Sequence, residues 1–207
     1  MVLLKTEIDL RTIIIFAVFM IVAIIFMYVK SHFDEQKGYD SKEKHMIKDI
    51  IRNLMPDGTA VYAIWFESSS SVRIKTTSYW YYAVGFNDNE LCVVPLSVEK
   101  GELGFSKHFI IKKEDLGMIT CVFNNKKNWY RAIFYDKEQR ELVKIIVKGT
   151  NTKDDRVSPV NIQQQEETRA YGSWLAAWQE EVNRVNNAPV KYKKILSSDC
   201  YLKSNKM

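Results

Sequence analysis

"SYWYYAVGFNDNELCVVPLSV", residues 78–98, sets four aromatic rings at Tyr79–Tyr82 before an Asn87-Asp88-Asn89 turn and a second apolar run. Two apolar runs joined by so short a polar turn read as a β-hairpin. Alternation along the first strand places Trp80, Tyr82, Val84 and Phe86 on one face, and Tyr79, Tyr81, Ala83 and Gly85 on the other. The first set is expected in a core. Tyr79 and Tyr81 are expected to face outward, where rings either support neighbouring strands or anchor a partner.

Outward from this hairpin, a period of two persists between Thr59 and Gly149. Candidate strands are Ala60–Glu67, Tyr79–Phe86, Leu91–Leu96, Phe109–Lys112, Met118–Phe123, Trp129–Tyr135 and Leu142–Val147, rich in β-branched and aromatic residues. No helix-length crossover separates them, which implies an antiparallel barrel or sandwich. Before them, Met46, Ile47, Ile50, Ile51, Leu54 and Met55 recur at helical spacing until Pro56-Asp57-Gly58. That stripe reads as packing against the β domain in preference to lying on a membrane. After them, Gln163–Asn187 returns to helical period. Its apolar face, Tyr171, Trp174, Leu175, Trp178, Val182 and Val185, is expected to be buried over the open end of the barrel.

Farther toward the N-terminus, Ile13–Val29 reads IIIFAVFMIVAIIFMYV, with no charge, Gly or Pro. This length sits at the short end of what spans a hydrocarbon core of about 30 Å, and insertion is expected to be favourable by on the order of several kcal/mol. Phe26-Met27-Tyr28-Val29-Lys30 offers no small-residue cleavage site, so a retained anchor is expected in place of a signal peptide. Lys30, Lys37, Lys42 and Lys44 outnumber Lys5 and Arg11, which puts the C-terminal side in the cytoplasm at the plasma membrane. The expected division is a tail at 1–12, a transmembrane helix at 13–29, a linker and helix start at 30–45, a domain at 46–187 and a basic flexible tail at 188–207. In that tail Lys191, Lys193, Lys194, Lys203 and Lys206 stand against Asp199, giving either weak contact with anionic lipid or a solvated end.

The 207 residues carry a net charge of +5, without the dense Arg/Lys patches of nucleic-acid binders, so no nucleic-acid partner is expected. Cys92, Cys121 and Cys200 stand far apart with no CxxC pair and read as free thiols. His32, His45 and His108 are scattered, and no GxSxG, GxGxxG, Walker or HExxH motif occurs. Catalytic residues, cofactors and metals are therefore not expected, although triads can assemble from distant residues.

The segments Tyr82–Leu96 and Ile110–Ile119, with the helix Trp174–Val182, resemble pleckstrin-homology-like domains, in particular bacterial ones, over about Met46–Asn187. The resemblance implies a seven-stranded antiparallel barrel or sandwich capped by a C-terminal helix, with Tyr171, Trp174, Leu175, Trp178 and Val182 on its buried face. Lipid-binding eukaryotic relatives hold inositol phosphates with cations around the first hairpin. Here Arg73 and Lys75, after Ser68–Ser71, fall short of such a cluster, and phosphoinositide binding is not carried over. Arg73, Lys75, Tyr79 and Tyr81 are the candidate contacts for a protein partner or anionic lipid. The chain thus reads as a membrane-anchored, non-enzymatic interaction or assembly module on the cytosolic face. The alternatives are a bitopic subunit of a secretion or conjugation machine with an extracytoplasmic nuclear-transport-factor-like domain, and an enzyme of unrecognised type.

Overall fold

The computed structural model describes residues 10–39, 41–70, 75–99, 102–124, 127–153, 157–188 and 192–194; the side chains of 10–14, 31–39, 75, 102 and 192–194 are not described. Three helices, α1 (Leu10–Tyr39), α2 (Lys42–Leu54) and α3 (Gln165–Val185), accompany a mostly antiparallel β structure. Its strands are β1 (Thr59–Ser70), β2 (Lys75–Phe86), β3 (Glu90–Glu99), β4 (Glu102–Phe105), β5 (Phe109–Lys112), β6 (Leu116–Asn124), β7 (Trp129–Asp136), β8 (Glu141–Lys148), β9 (Thr150–Asn151), β10 (Ile162–Gln163) and β11 (Tyr192–Lys194). The order is β11-β6-β7-β8-β1-β2-β3-β4, with β5 following β4 along the same edge of β3, and β9 and β10 pair separately.

The first strand is the hinge of this arrangement. It pairs with β2 along its whole length, Thr59↔Phe86 to Ser70↔Lys75, but with β8 only at Ala63↔Val147 and Ile64↔Ile146. Beyond that short contact β1 and β8 part. The buried side-chain amide of Gln164 fills the gap on one side: its Oε1 accepts from the Tyr62 N–H at 2.7 Å, and its Nε2 donates to the carbonyls of Tyr62 and Lys148 at 2.8 and 2.9 Å. A side chain thereby continues a ladder that the backbones no longer reach, leaving no orphaned buried donor there.

Both faces of the sheet are apolar. The inner face packs Val61, Ala63, Val84, Phe86, Val93, Phe134 and Ile145 against Tyr171, Leu175, Trp178 and Val182 of α3. Gly172 makes this approach possible, because a Cβ there would run into the Tyr130 ring. The outer face packs Tyr62, Ile64, Ala83, Cys92, Val94 and Ile146 against Ile47, Ile51 and Met55 of α2, with Val160 and Ile162 closing one side. Gly85 is the matching seat, since a Cβ there would lie 2.5 Å from the Ile51 Cγ2. Ser41 starts α2 by accepting from the Lys44 N–H at 3.2 Å, and the Met55 N–H closes it on the Ile51 carbonyl at 2.7 Å.

Residues 30–39, within the stretch 30–45 expected as linker and helix start, continue α1, and within the stretch 188–207 Tyr192–Lys194 forms β11, which runs parallel to β6 from Tyr192↔Cys121 to Lys194↔Phe123. Val185 is 70% exposed, because α3 overhangs the sheet at its last turn. Among the described residues no helix is long and apolar enough to cross a membrane. The expected span Ile13–Val29 lies partly outside the residues whose side chains are described.

Candidate functional site

The β1–β2 hairpin carries the residues singled out from the sequence. Arg73 lies outside the described residues, and Lys75 is described only as the backbone that opens β2 opposite Ser70. Tyr79 and Tyr81 lie on the outer face, opposite Phe66 and Ile64. They are half-buried rather than free: Tyr79 lies 6.2 Å from the Phe66 ring, and Tyr81 packs at the margin of the cluster under α2. Phe66 and the outer cluster, which alternation alone does not show, cover part of these rings. Burial raises the Tyr81 hydroxyl above its ordinary value.

On the inner face the aromatic row is graded. Val84 and Phe86 are buried, Tyr82 is half-buried, and Trp80, expected in the core, is 40% exposed at the mouth. Trp80 stands there because β1 has left β8 at its partner Trp65, so the inner layer opens. The opening is a cleft of about 400 Å³ walled by Trp65, Trp80, Tyr82, Pro95, Phe109 and Leu142. Arg131 and Lys144 lie 4.6 and 5.7 Å from the Trp65 ring centre, a cation–π arrangement. At the rim Glu67 accepts from the Trp65 indole N–H at 3.1 Å and from the Lys144 ammonium at 3.2 Å. Those hydrogen bonds, the Trp65 one first, hold its carboxyl below the usual value. Lys144 is held up, first by its bond to Glu141.

The capping residues lie under α3. Tyr171, Leu175, Trp178 and Val182 are buried, and Trp174 is partly so. The two indoles donate to the Asn87 and Asp88 carbonyls at 2.7 and 3.1 Å, which ties the helix to the β2–β3 turn. The β6 edge is held by side chains as well: Asn183 accepts from the Ile119 N–H at 2.9 Å and donates to its carbonyl at 3.0 Å.

Among the described residues no group of His, Cys, Asp or Glu is arranged to hold a metal ion. Cys92 and Cys121 are buried, and burial pushes both thiols up, away from the thiolate that a nucleophile needs. The sequence reading missed Phe105, Phe109, Ile110 and Leu142, all large apolar side chains left exposed. A visible signal was the length of strand β5, too short to reach along β3.

No protein-family model matches the chain, and no curated protein matches it. Among solved structures, the hSac2 domain from human phosphoinositide phosphatase Sac2 is similar over 77% of this chain and 94% of that one, at 10% identity and a TM-score of 0.37. A likeness of that size carries no argument about fold or function.

Proposed function

We propose that the chain is a membrane-anchored, non-enzymatic interaction module whose β domain is pleckstrin-homology-like and faces the cytosol. The observation that carries the reading is α1, whose side chains from Ile15 to Val29 are apolar on every side and exposed apart from the half-buried Ala23. A helical run that is apolar all round and exposed over its whole length needs a non-aqueous surround. The domain reading is supported by a meander in which β1 pairs with both β2 and β8 and one late helix plugs the inner face. That strand order also weighs against the nuclear-transport-factor-like alternative, in which more helix precedes the sheet. Interaction, in place of catalysis, follows from exposed aromatic side chains beside a sealed core.

The test is extraction and labelling of the full chain in intact cells. Alkaline carbonate should leave the chain in the membrane pellet; release into the supernatant would remove the anchor. A K137C/C200S variant places a thiol in the exposed β7–β8 turn while Cys92 and Cys121 stay buried. An impermeant maleimide should label it only after permeabilisation, and labelling of intact cells would reverse the orientation.

A further inference from the structure

The edge of the sheet formed by β4 and β5 has no strand beyond it among the described residues. The register fixes which backbone groups face outward there. The Lys113 N–H donates to the Asn89 carbonyl at 2.9 Å, so hydrogen-bonded pairs recur at Leu91↔Ile111 and Val93↔Phe109. The N–H and C=O groups of Ile110 and Lys112 therefore point away from β3. Edges of this kind are normally covered or made repulsive, since they accept further strands.

Two features say what kind of strand would fit. On the outer face Ile110 is 44% and Phe105 62% exposed. Beside them lies a hollow of about 420 Å³, walled by Ile50, Leu54, Val94 and Phe105 and closed at its rim by Lys107 and His108. An added strand would send alternate side chains over Ile110 and into this hollow. Its flanks would meet Lys107 and Lys112, both exposed and neither in an ion pair among the described residues. A second copy fits poorly: antiparallel pairing about Ile110 would set Lys113 opposite Lys107 at both ends, like charges face to face.

We propose that this edge accepts, by strand addition, an extended partner segment with apolar residues at alternate positions and carboxylates at its flanks. The proposal deepens the interaction-module reading and rests on it, but it does not depend on the anchor or its orientation.

The probe is the peptide acetyl-Glu-Asp-Val-Thr-Ile-Thr-Glu-Asp-amide, titrated by fluorescence anisotropy against the full chain in neutral detergent micelles, beside a version with Lys at the four acidic positions. The acidic peptide should bind at least tenfold more tightly and slow hydrogen exchange at the Ile110 and Lys112 amides. Ile110→Pro removes an outward N–H together with the exposed isoleucine side chain while leaving the bonds from β5 to β3 in place, and should weaken binding at least tenfold with the thermal transition little changed. K107E/K112E should invert the preference between the two peptides. Absence of acidic-peptide binding, or binding indifferent to Ile110→Pro, would overturn the proposal. So would a concentration-dependent dimer abolished by Ile110→Pro, which would give the edge to a second copy. Binding to phosphatidylserine vesicles that survives Ile110→Pro and disappears in K107E/K112E would give it to a membrane surface. Failure of the peptide with cytosolic labelling intact would sink the edge alone; extracellular labelling with the peptide bound would sink the orientation alone.

Discussion

At the scale of single residues, two side-chain amides stand in for backbone. Asn183 answers both polar groups of Ile119, a fully buried residue on β6, and Gln164 bridges Tyr62 and Lys148 where β1 and β8 separate. The Ile119 carbonyl keeps a second donor, the Gln179 side-chain amide at 3.1 Å, so loss of Asn183 orphans the buried Ile119 N–H, at about 1–3 kcal/mol. Asn183→Ala should therefore lower unfolding stability by roughly 1–3 kcal/mol, read as a fall in the urea midpoint, and Asn183→Asp should restore only the acceptor half of the pair. A loss under about 0.5 kcal/mol, the range of an ordinary surface change, would show that water replaces the amide. Gly172 is the second such position, because its missing Cβ lets α3 settle on the Tyr130 ring. Gly172→Ala should destabilise by about 1–3 kcal/mol of overpacking despite alanine's better helix propensity, and a melting temperature raised by the substitution would contradict the tight seam. Neither role was readable beforehand: Asn183 and Gln164 look like ordinary polar residues near a helix, and what makes them structural is where two strands happen to separate.

At the scale of elements, α2 and α3 are stapled across opposite faces of the sheet by charge. The Lys44 and Lys48 ammonium groups each lie 3.1 Å from Glu167 in the first turn of α3. Burial alone would raise the Glu167 carboxyl; its own backbone N–H and the two lysines outweigh that and hold it below its ordinary 4.5. A depressed carboxylate contributes stability that is complete above the unfolded value and is lost as pH falls through the folded one. Stability should thus decline below about pH 4.5, and Glu167→Gln should flatten that decline while lowering stability near neutrality; parallel acid curves for the two proteins would show that the staple carries none of it. The strands and both domain helices were largely legible, because Val, Ile and aromatic runs of four or more residues carry their own period. The strands β4, β9, β10 and β11 were not, being two to four residues long. The apolar run Val61–Trp65 is buried throughout, as in a strand covered on both faces, whereas alternation along β2 alone led to the expectation that Tyr79 and Tyr81 face outward. At the candidate site, alternation gave the correct faces but not the exposure, since exposure depends on how far β8 follows β1.

At the scale of the whole molecule, one sheet serves two apolar layers. Val61 and Ala63 of β1 belong to the layer under α3, while Tyr62 and Ile64 of the same strand belong to the layer under α2. Neither layer can lose its packing without disturbing the strand that the other requires, so the β domain should unfold as a single cooperative unit. Ile51 and Leu175, both fully buried, sit in opposite layers. Ile51→Ala and Leu175→Ala should each cost about 2–5 kcal/mol, and the double variant should come near the sum, as for separated sites. In the full chain held in neutral detergent, with Trp65, Trp80 and Trp129 replaced by Phe, indole fluorescence follows the inner layer through Trp174 and Trp178, while hydrogen exchange at the α2 amides follows the outer one. Cooperative unfolding requires that Leu175→Ala, which touches only the inner layer, accelerate exchange in α2 by the same free energy as it shifts the fluorescence transition. If α2 instead kept its protection in Leu175→Ala, the outer layer would be a separate unit, able to open and release the hollow beside Phe105 without unfolding the inner layer.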